Sequence, residues 1–283
     1  MTQRRSFDKN YLQQEFDKLN STAKHPMALY LIGGGAMAFC GLKDATKDID
    51  IILTNHEDLN NLKAALVAMG YKEPNPLVIT KPYNDMQTSA MLENRDGFRW
   101  DLFLSKVCGK LTLSEDMQNR ATPLYKGNKL KIFTASKEDL FLFKGITTRE
   151  ADLDDNRILA QSGLNWDIIS QECNSQSQVS GLCWEDALSQ NLQALKEKFS
   201  IESPIEKTLR KTAEQKIIEI SLLRQIQKGN NTISRIAQAI HEPESFVRTE
   251  LNRLVTKETI IVDKSKRPHK FSIDTHCAIV DSS

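Results

Sequence analysis

Phe7, Tyr11, Leu12, Phe16 and Leu19 recur at near-helical spacing among polar residues, which predicts an amphipathic helix over residues 5–20. Met27 to Ile32 form a short apolar run that stops at Gly33-Gly34-Gly35, the pattern of a buried strand entering a tight turn. Ala36 to Leu42 then continue as a short helix. Asp48-Ile49-Asp50-Ile51-Ile52-Leu53 is rich in β-branched residues and reads as a central strand. A helix follows from Asn55 or His56 to about Met69. Two hairpins come next. Ser89–Glu93 meets Phe98–Leu104 around Asp96-Gly97, and Pro123–Lys126 meets Lys129–Phe133 around Gly127-Asn128.

From Ser136 the apolar period lengthens from that of a strand to that of a helix. Ser136 with Asp139 resembles a capping box, opening a helix to about Ile146. Helical patterns continue through Leu153–Gln161, Trp166–Cys173 and Cys183–Phe199. The polar stretch Asn174–Ser180 reads as a loop, and Ser200–Pro204 as a linker. Beyond it, Ile205–Gln227, Thr232–Ile240 and Glu244–Lys257 are helices, the last two joined by His241-Glu242-Pro243. Thr259–Val262 and Lys270–Ile273 are strands around a basic tip, Lys264-Ser265-Lys266-Arg267-Pro268. Three helices followed by a two-stranded wing is the winged-helix pattern. The expected class is therefore α+β. A mixed sheet with flanking helices occupies 1–135, a helical region 136–200 and a winged helix 205–283. Trp100 alternates to the sheet face opposite Asp101 and, like Trp166 and Trp184 on apolar helix faces, is expected in the core.

Composition narrows the picture. A chain of 283 residues, 40% apolar, can bury the cores of two or three units. The formal net charge of +1 gives no whole-molecule field toward nucleic acid or a membrane, so any basic patch is local. No stretch approaches the roughly 18–20 apolar residues of a membrane span, and the charged N-terminus lacks a signal peptide's apolar segment. The five cysteines are scattered with no CxxC pair, as reduced thiols would be, and the five histidines are equally dispersed. These features predict a cytoplasmic protein without a membrane partner.

The chemistry concentrates at Gly33-Gly34 and Asp48-Ile49-Asp50. Nucleotidyl transfer is an in-line attack on an α-phosphate, assisted by metal ions that bridge the reacting oxygens. Magnesium takes hard oxygen ligands, usually a few carboxylates plus substrate phosphates. Asp48 and Asp50, two apart on a strand, point to one face and suit a shared metal pair. Asp101 is a charge inside the apolar strand Phe98–Leu104, and burying a carboxylate costs several kcal/mol unless it is paired or binds metal. Backbone amides at Gly33 and Gly34 can approach phosphate closely. Lys43 and Lys47 either offset triphosphate charge or are solvated loop lysines.

A Gly-Gly pair, about a dozen residues, an Asp-Ile-Asp strand start and a later strand Asp together resemble the DNA polymerase β-type nucleotidyltransferase superfamily. Gly41–Asp50 is similar to the minimal archaeal and bacterial nucleotidyltransferases and to the type IV abortive-infection toxins. Glu138–Lys144 with Arg149 and Asp152-Leu153-Asp154-Asp155 resembles the helical half of those proteins. The resemblance spans about residues 28–161. It implies catalytic and metal-binding roles for Asp48, Asp50 and Asp101, with Mg²⁺ or Mn²⁺ as the metal. It implies NTP binding, with ATP among the candidates, through Gly33, Gly34, Lys43 and Lys144, assisted by Asp152 or Asp155. The same aspartates also suit a helix N-terminus, where acidic charge is favourable.

The implied reaction moves an NMP from an NTP to a hydroxyl of a protein, a tRNA or a small molecule. In the C-terminal segment Ser245, Arg248, Thr249, Asn252 and Arg253 would face a DNA or RNA groove, with Lys264, Lys266 and Arg267 on phosphates. Glu242, Glu244, Glu250 and Glu258 dilute that charge, so protein interaction is the competing role. The alternative for the whole chain is a DNA-binding regulator, or a toxin–antitoxin component with a nucleotide-sensing, non-catalytic first half.

Overall fold

The computed structural model describes residues 5–74, 87–147, 149–265 and 267–274. The chain divides into two compact units: Met1–Gln176 with Gln190–Ile205, and Ser177–Ser189 with Glu206–Ser283. Among the described residues, no helix is long and apolar enough to cross a membrane.

The first unit opens with β1 (Phe7–Asp8) and α1 (Lys9–Thr22), whose first turn is capped by Asp8 Oδ1 accepting from the Tyr11 amide at 2.9 Å. β2 (Met27–Ile32), α2 (Gly33–Phe39), β3 (Ala45–Thr46), β4 (Asp48–Leu53) and α3 (His56–Ala68) follow. Then come β5 (Ala90–Glu93), β6 (Arg99–Leu104), β7 (Lys106–Val107) and β8 (Leu111–Thr112). After α4 (Glu115–Arg120) the hairpin β9 (Thr122–Lys126) and β10 (Leu130–Thr134) leads into α5 (Lys137–Gly145) and α6 (Glu150–Gln161). α7 (Trp166–Ser180) and α8 (Trp184–Phe199) complete the helical stretch.

A six-stranded mixed sheet runs β5-β6-β4-β2-β10-β9. β4 is antiparallel to β2 and parallel to β6, with Asp50 opposite Asp101 and Ile49 opposite Trp100. Side chains alternate across a strand, so the register separates two chemistries. Ile49, Ile51, Trp100 and Leu102 are fully buried on one face, while Asp48, Asp50 and Asp101 share the other. α1 covers the apolar face through Leu12, Phe16 and Leu19, and Phe16 meets Trp100 edge-on at 6.1 Å.

The strands β2 and β4 coincide with the expected ones, and both hairpins are present. Three expectations are corrected. The glycine run is not a turn preceding a helix: α2 itself begins at Gly33, and its glycines form the first helical turn. The stretch 174–180 is helix, not loop. Its polar side chains are satisfied inside the protein, as Gln176 clasps the Thr112 backbone at 2.8 and 3.0 Å and Ser177 Oγ donates to Glu185 at 2.7 Å. Trp166 and Trp184 are half-buried rather than core, the former edge-on to Phe141 at 5.3 Å. Two short pairings, β1 with β3 and β7 with β8, escaped the sequence pattern because two-residue strands carry no period.

The second unit contains α9 (Glu206–Gln227), α10 (Ile233–Ile240), α11 (Glu244–Thr256) and the antiparallel pair β11 (Ile260–Asp263) and β12 (Lys270–Ile273). Leu222, Ile236, Val247, Leu251, Leu254 and Phe271 form one core that joins all three helices to the hairpin.

Candidate active site

The polar face of the sheet opens into a cavity of about 310 Å³. Asp48 and Asp50 reach it from the start of β4, and Asp101 from the middle of β6, where it is fully buried. Gly34, Lys43, Lys47 and Lys144 line the same space, so the structure brings together most of the sequence-predicted nucleotide site. Among the described residues, no three His, Cys, Asp or Glu side chains are grouped as they stand to hold an ion.

Burial, and then the charge of Asp48, push the Asp50 carboxyl up to about 7 against the opposing pull of Lys144 and Arg149. Two carboxylates close together resist double ionisation, and a bound cation relieves that strain. The donors are all hard oxygens, the chemistry that divalent magnesium or manganese takes.

The contact with Asp50 explains why a glycine, Gly33, stands between β2 and the rest of α2. Its φ is +63°, and a Cβ there would overlap the Asp50 carboxylate. A Cβ at Gly34 would sit 2.7 Å from Thr46 Oγ1, so the backbone is drawn tight against the site. Gly33→Ala is expected to cost about 1–2 kcal/mol from backbone strain alone. It should also displace Asp50. Thermal denaturation of the variant checks the first effect, and its nucleotide turnover the second.

The same cavity is also lined by a row of alternating charges. Lys43 Nζ lies 2.6 Å from Asp155 Oδ1, and Lys144 Nζ lies 2.7 Å from Asp155 Oδ2 and 3.1 Å from Asp152 Oδ1. Arg149 Nε reaches Asp152 Oδ2 at 2.7 Å, and the Thr147 hydroxyl donates to the same oxygen. The i,i+3 spacing of Asp152 and Asp155 puts both on one face of α6. Burial alone would depress Lys144, but Asp152 and Asp155 outweigh it and hold its pKa above the ordinary lysine value. Asp152 shows the converse: burial raises it, yet Lys144, Arg149 and Thr147 together keep it below the usual carboxylate range.

Sequence reasoning missed Ser6 and Thr46 as lining residues, and named Arg149 only within the resemblance, without a role. Arg149 gave no periodic signal, because it stands at the N-cap of α6 whereas Lys144 belongs to α5. Ser6 gave none either, because β1 places it.

The C-terminal candidates belong to the second unit. Arg248 and Asn252 are exposed on α11, and Lys264 and Arg267 are exposed between β11 and β12. Arg253 is instead half-buried and held by Glu250 at 2.8 Å, with Glu219 at 3.9 Å. Lys266 lies outside the described residues.

The sequence model of a family described as a nucleotidyltransferase of unknown function (DUF6036) matches residues 10–200. A search of curated proteins finds no match to the chain.

Proposed function

The chain belongs to the DUF6036 family of nucleotidyltransferases of unknown function, and from that membership we propose that it is a metal-dependent enzyme moving an NMP from an NTP to a hydroxyl acceptor. One observation carries the reading: Asp48, Asp50 and Asp101 line one cavity together with Lys43, Lys144 and Arg149. Carboxylates and cations lining one cavity suit a triphosphate bound with divalent metal, the phosphates competing with Asp152 and Asp155 for the cations. Asp48 and Asp50 would hold the metal, with substrate phosphates filling the sphere that protein groups leave open. When bound, it would supply Lewis-acid polarisation of the phosphate and pyrophosphate oxygens.

The residues of the chain do the remainder. Gly33 and Gly34 let the backbone approach the phosphates, and Lys43 and Lys144 offset their charge. Asp101, buried and in register with Asp50, would complete the metal sphere and take or steer the acceptor proton. Incubation with each α-labelled NTP and Mg²⁺ or Mn²⁺, with and without tRNA, tests the reading beside an Asp48→Ala/Asp50→Ala control. Transfer lost in the control supports it. Transfer that survives in the control overturns it.

For the second unit we propose a winged helix that contacts nucleic acid, a reading favoured by the exposure of Arg248 and Asn252 on α11 and of Lys264 and Arg267 between β11 and β12. If these residues meet phosphates, the affinity of the full chain for duplex DNA or RNA falls steeply with salt. Lys264→Ala should then flatten the log–log slope by about one. Equal slopes for variant and wild type would remove Lys264 from that interface.

A further inference from the structure

We infer that Ser6 is a nucleotidyl acceptor built into the chain, so that the protein modifies itself with an NMP on the Ser6 hydroxyl. The inference rests on the transferase reading above and names a substrate for that site. Among the described residues, two that carry hydroxyls line the cavity, Ser6 and Thr46. Thr46 is buried, and its Oγ1 donates to the Asp48 carbonyl at 3.0 Å, so that proton is already committed to holding the loop. Ser6 is solvent-exposed at the cavity wall.

Its position follows from what flanks it. Phe7 is buried and packs edge-on against Phe98 at 4.8 Å, at the entrance to the strand that carries Asp101. Phe7 and Asp8 pair with Thr46 and Ala45, and Asp8 caps α1. Successive side chains on an extended backbone point to opposite sides, so anchoring Phe7 in the core turns Ser6 outward to the cavity. The pairing of β1 with β3 thus places a serine hydroxyl on the wall of the cavity that the carboxylates also line. An acceptor tethered there gains the advantage of an intramolecular reaction.

The step balances. Ser6 Oγ forms a bond to the α-phosphorus, the bond from that phosphorus to the bridging oxygen breaks, and pyrophosphate leaves with the electron pair. The hydroxyl proton passes to a carboxylate of the Asp48, Asp50 and Asp101 set. The product is a serine phosphodiester and pyrophosphate, with no oxidant or further co-reactant.

The test incubates the full chain with each α-labelled NTP and Mg²⁺ or Mn²⁺, followed by intact mass and peptide mapping, with pyrophosphate release and NTP binding measured in parallel. The expected result is one NMP per chain at Ser6, formed at a rate per chain that does not change on dilution. The label should be lost in Ser6→Ala, lost in Asp50→Asn and retained in Ser6→Thr. Label that persists in Ser6→Ala, or that maps to another residue, overturns the inference. Pyrophosphate release with tRNA but no self-label overturns it while leaving the transferase reading intact. An absence of NTP binding and of pyrophosphate release with any acceptor overturns both.

Discussion

Asp50→Asn is expected to lower NMP transfer at least about a thousandfold while leaving the chain folded. A metal ligand contributes several kcal/mol of transition-state stabilisation, and about 4 kcal/mol corresponds to three decades in rate. The substitution keeps the volume of the side chain, so the packing beneath β4 is unchanged. It also makes a separate thermodynamic prediction. The folded chain holds the Asp50 carboxyl at about 7 against an ordinary 3.8. A carboxyl raised by folding helps the fold only while protonated. Its contribution is complete below about pH 4 and is lost as pH climbs through about 7. In chelator, the Tm of wild type should therefore fall relative to Asp50→Asn across that window, and divalent metal should reverse the trend. Parallel Tm curves over pH 4–8 would show that Asp50 is not the strained carboxyl.

Lys144→Met is expected to destabilise the first unit by about 3 kcal/mol, or roughly 6–12 °C in Tm for a unit of this size. Lys144 is buried and serves two carboxylates at once, Asp152 at 3.1 Å and Asp155 at 2.7 Å. Removing it leaves two acids in a low-dielectric wall with one cation apiece, Arg149 and Lys43. Those half-exposed partners keep the loss at the lower end of the usual range for a broken buried ion pair. Adding Asp152→Asn and Asp155→Asn to Lys144→Met should recover most of the stability, because the uncompensated charges then disappear. A triple variant as unstable as the single one would mean that the lysine stem, not its charge, supports α5. Nucleotide affinity should stay low in both, since neither restores a cation.

The strands carrying the three aspartates were legible because their chemistry and their period agree. Asp48–Leu53 is apolar except where the cavity needs charge, and a lone acid in Phe98–Leu104 marks the partner strand. What stayed hidden depended on distant contacts. Gln176 and Ser177 look like loop residues until Thr112 and Glu185 are seen to satisfy them. Gly33 looks like a turn, yet α2 begins there, and it is a glycine because its φ is positive and Asp50 leaves no room for a Cβ. Lys144 and Asp152 carried no local sign of being partners, since an acid eight positions from a lysine also fits two solvated charges. Ser6 was invisible for a similar reason: its place is set by the pairing of Phe7 with Thr46.

The parallel pairing of β4 with β6 also bears on the order of folding. Gly33, Lys43, Asp48 and Asp50 lie close together in the chain, and antiparallel β2–β4 contacts can bring them together early. Asp101 arrives only when a remote segment docks in parallel register, and β10 joins β2 from farther still. Non-local parallel pairings close large loops and form late in folding. A partly folded chain would then hold the glycines and the first two acids without the third. Onset of NMP transfer during refolding should coincide with the slowest structural phase, making activity a reporter of complete folding.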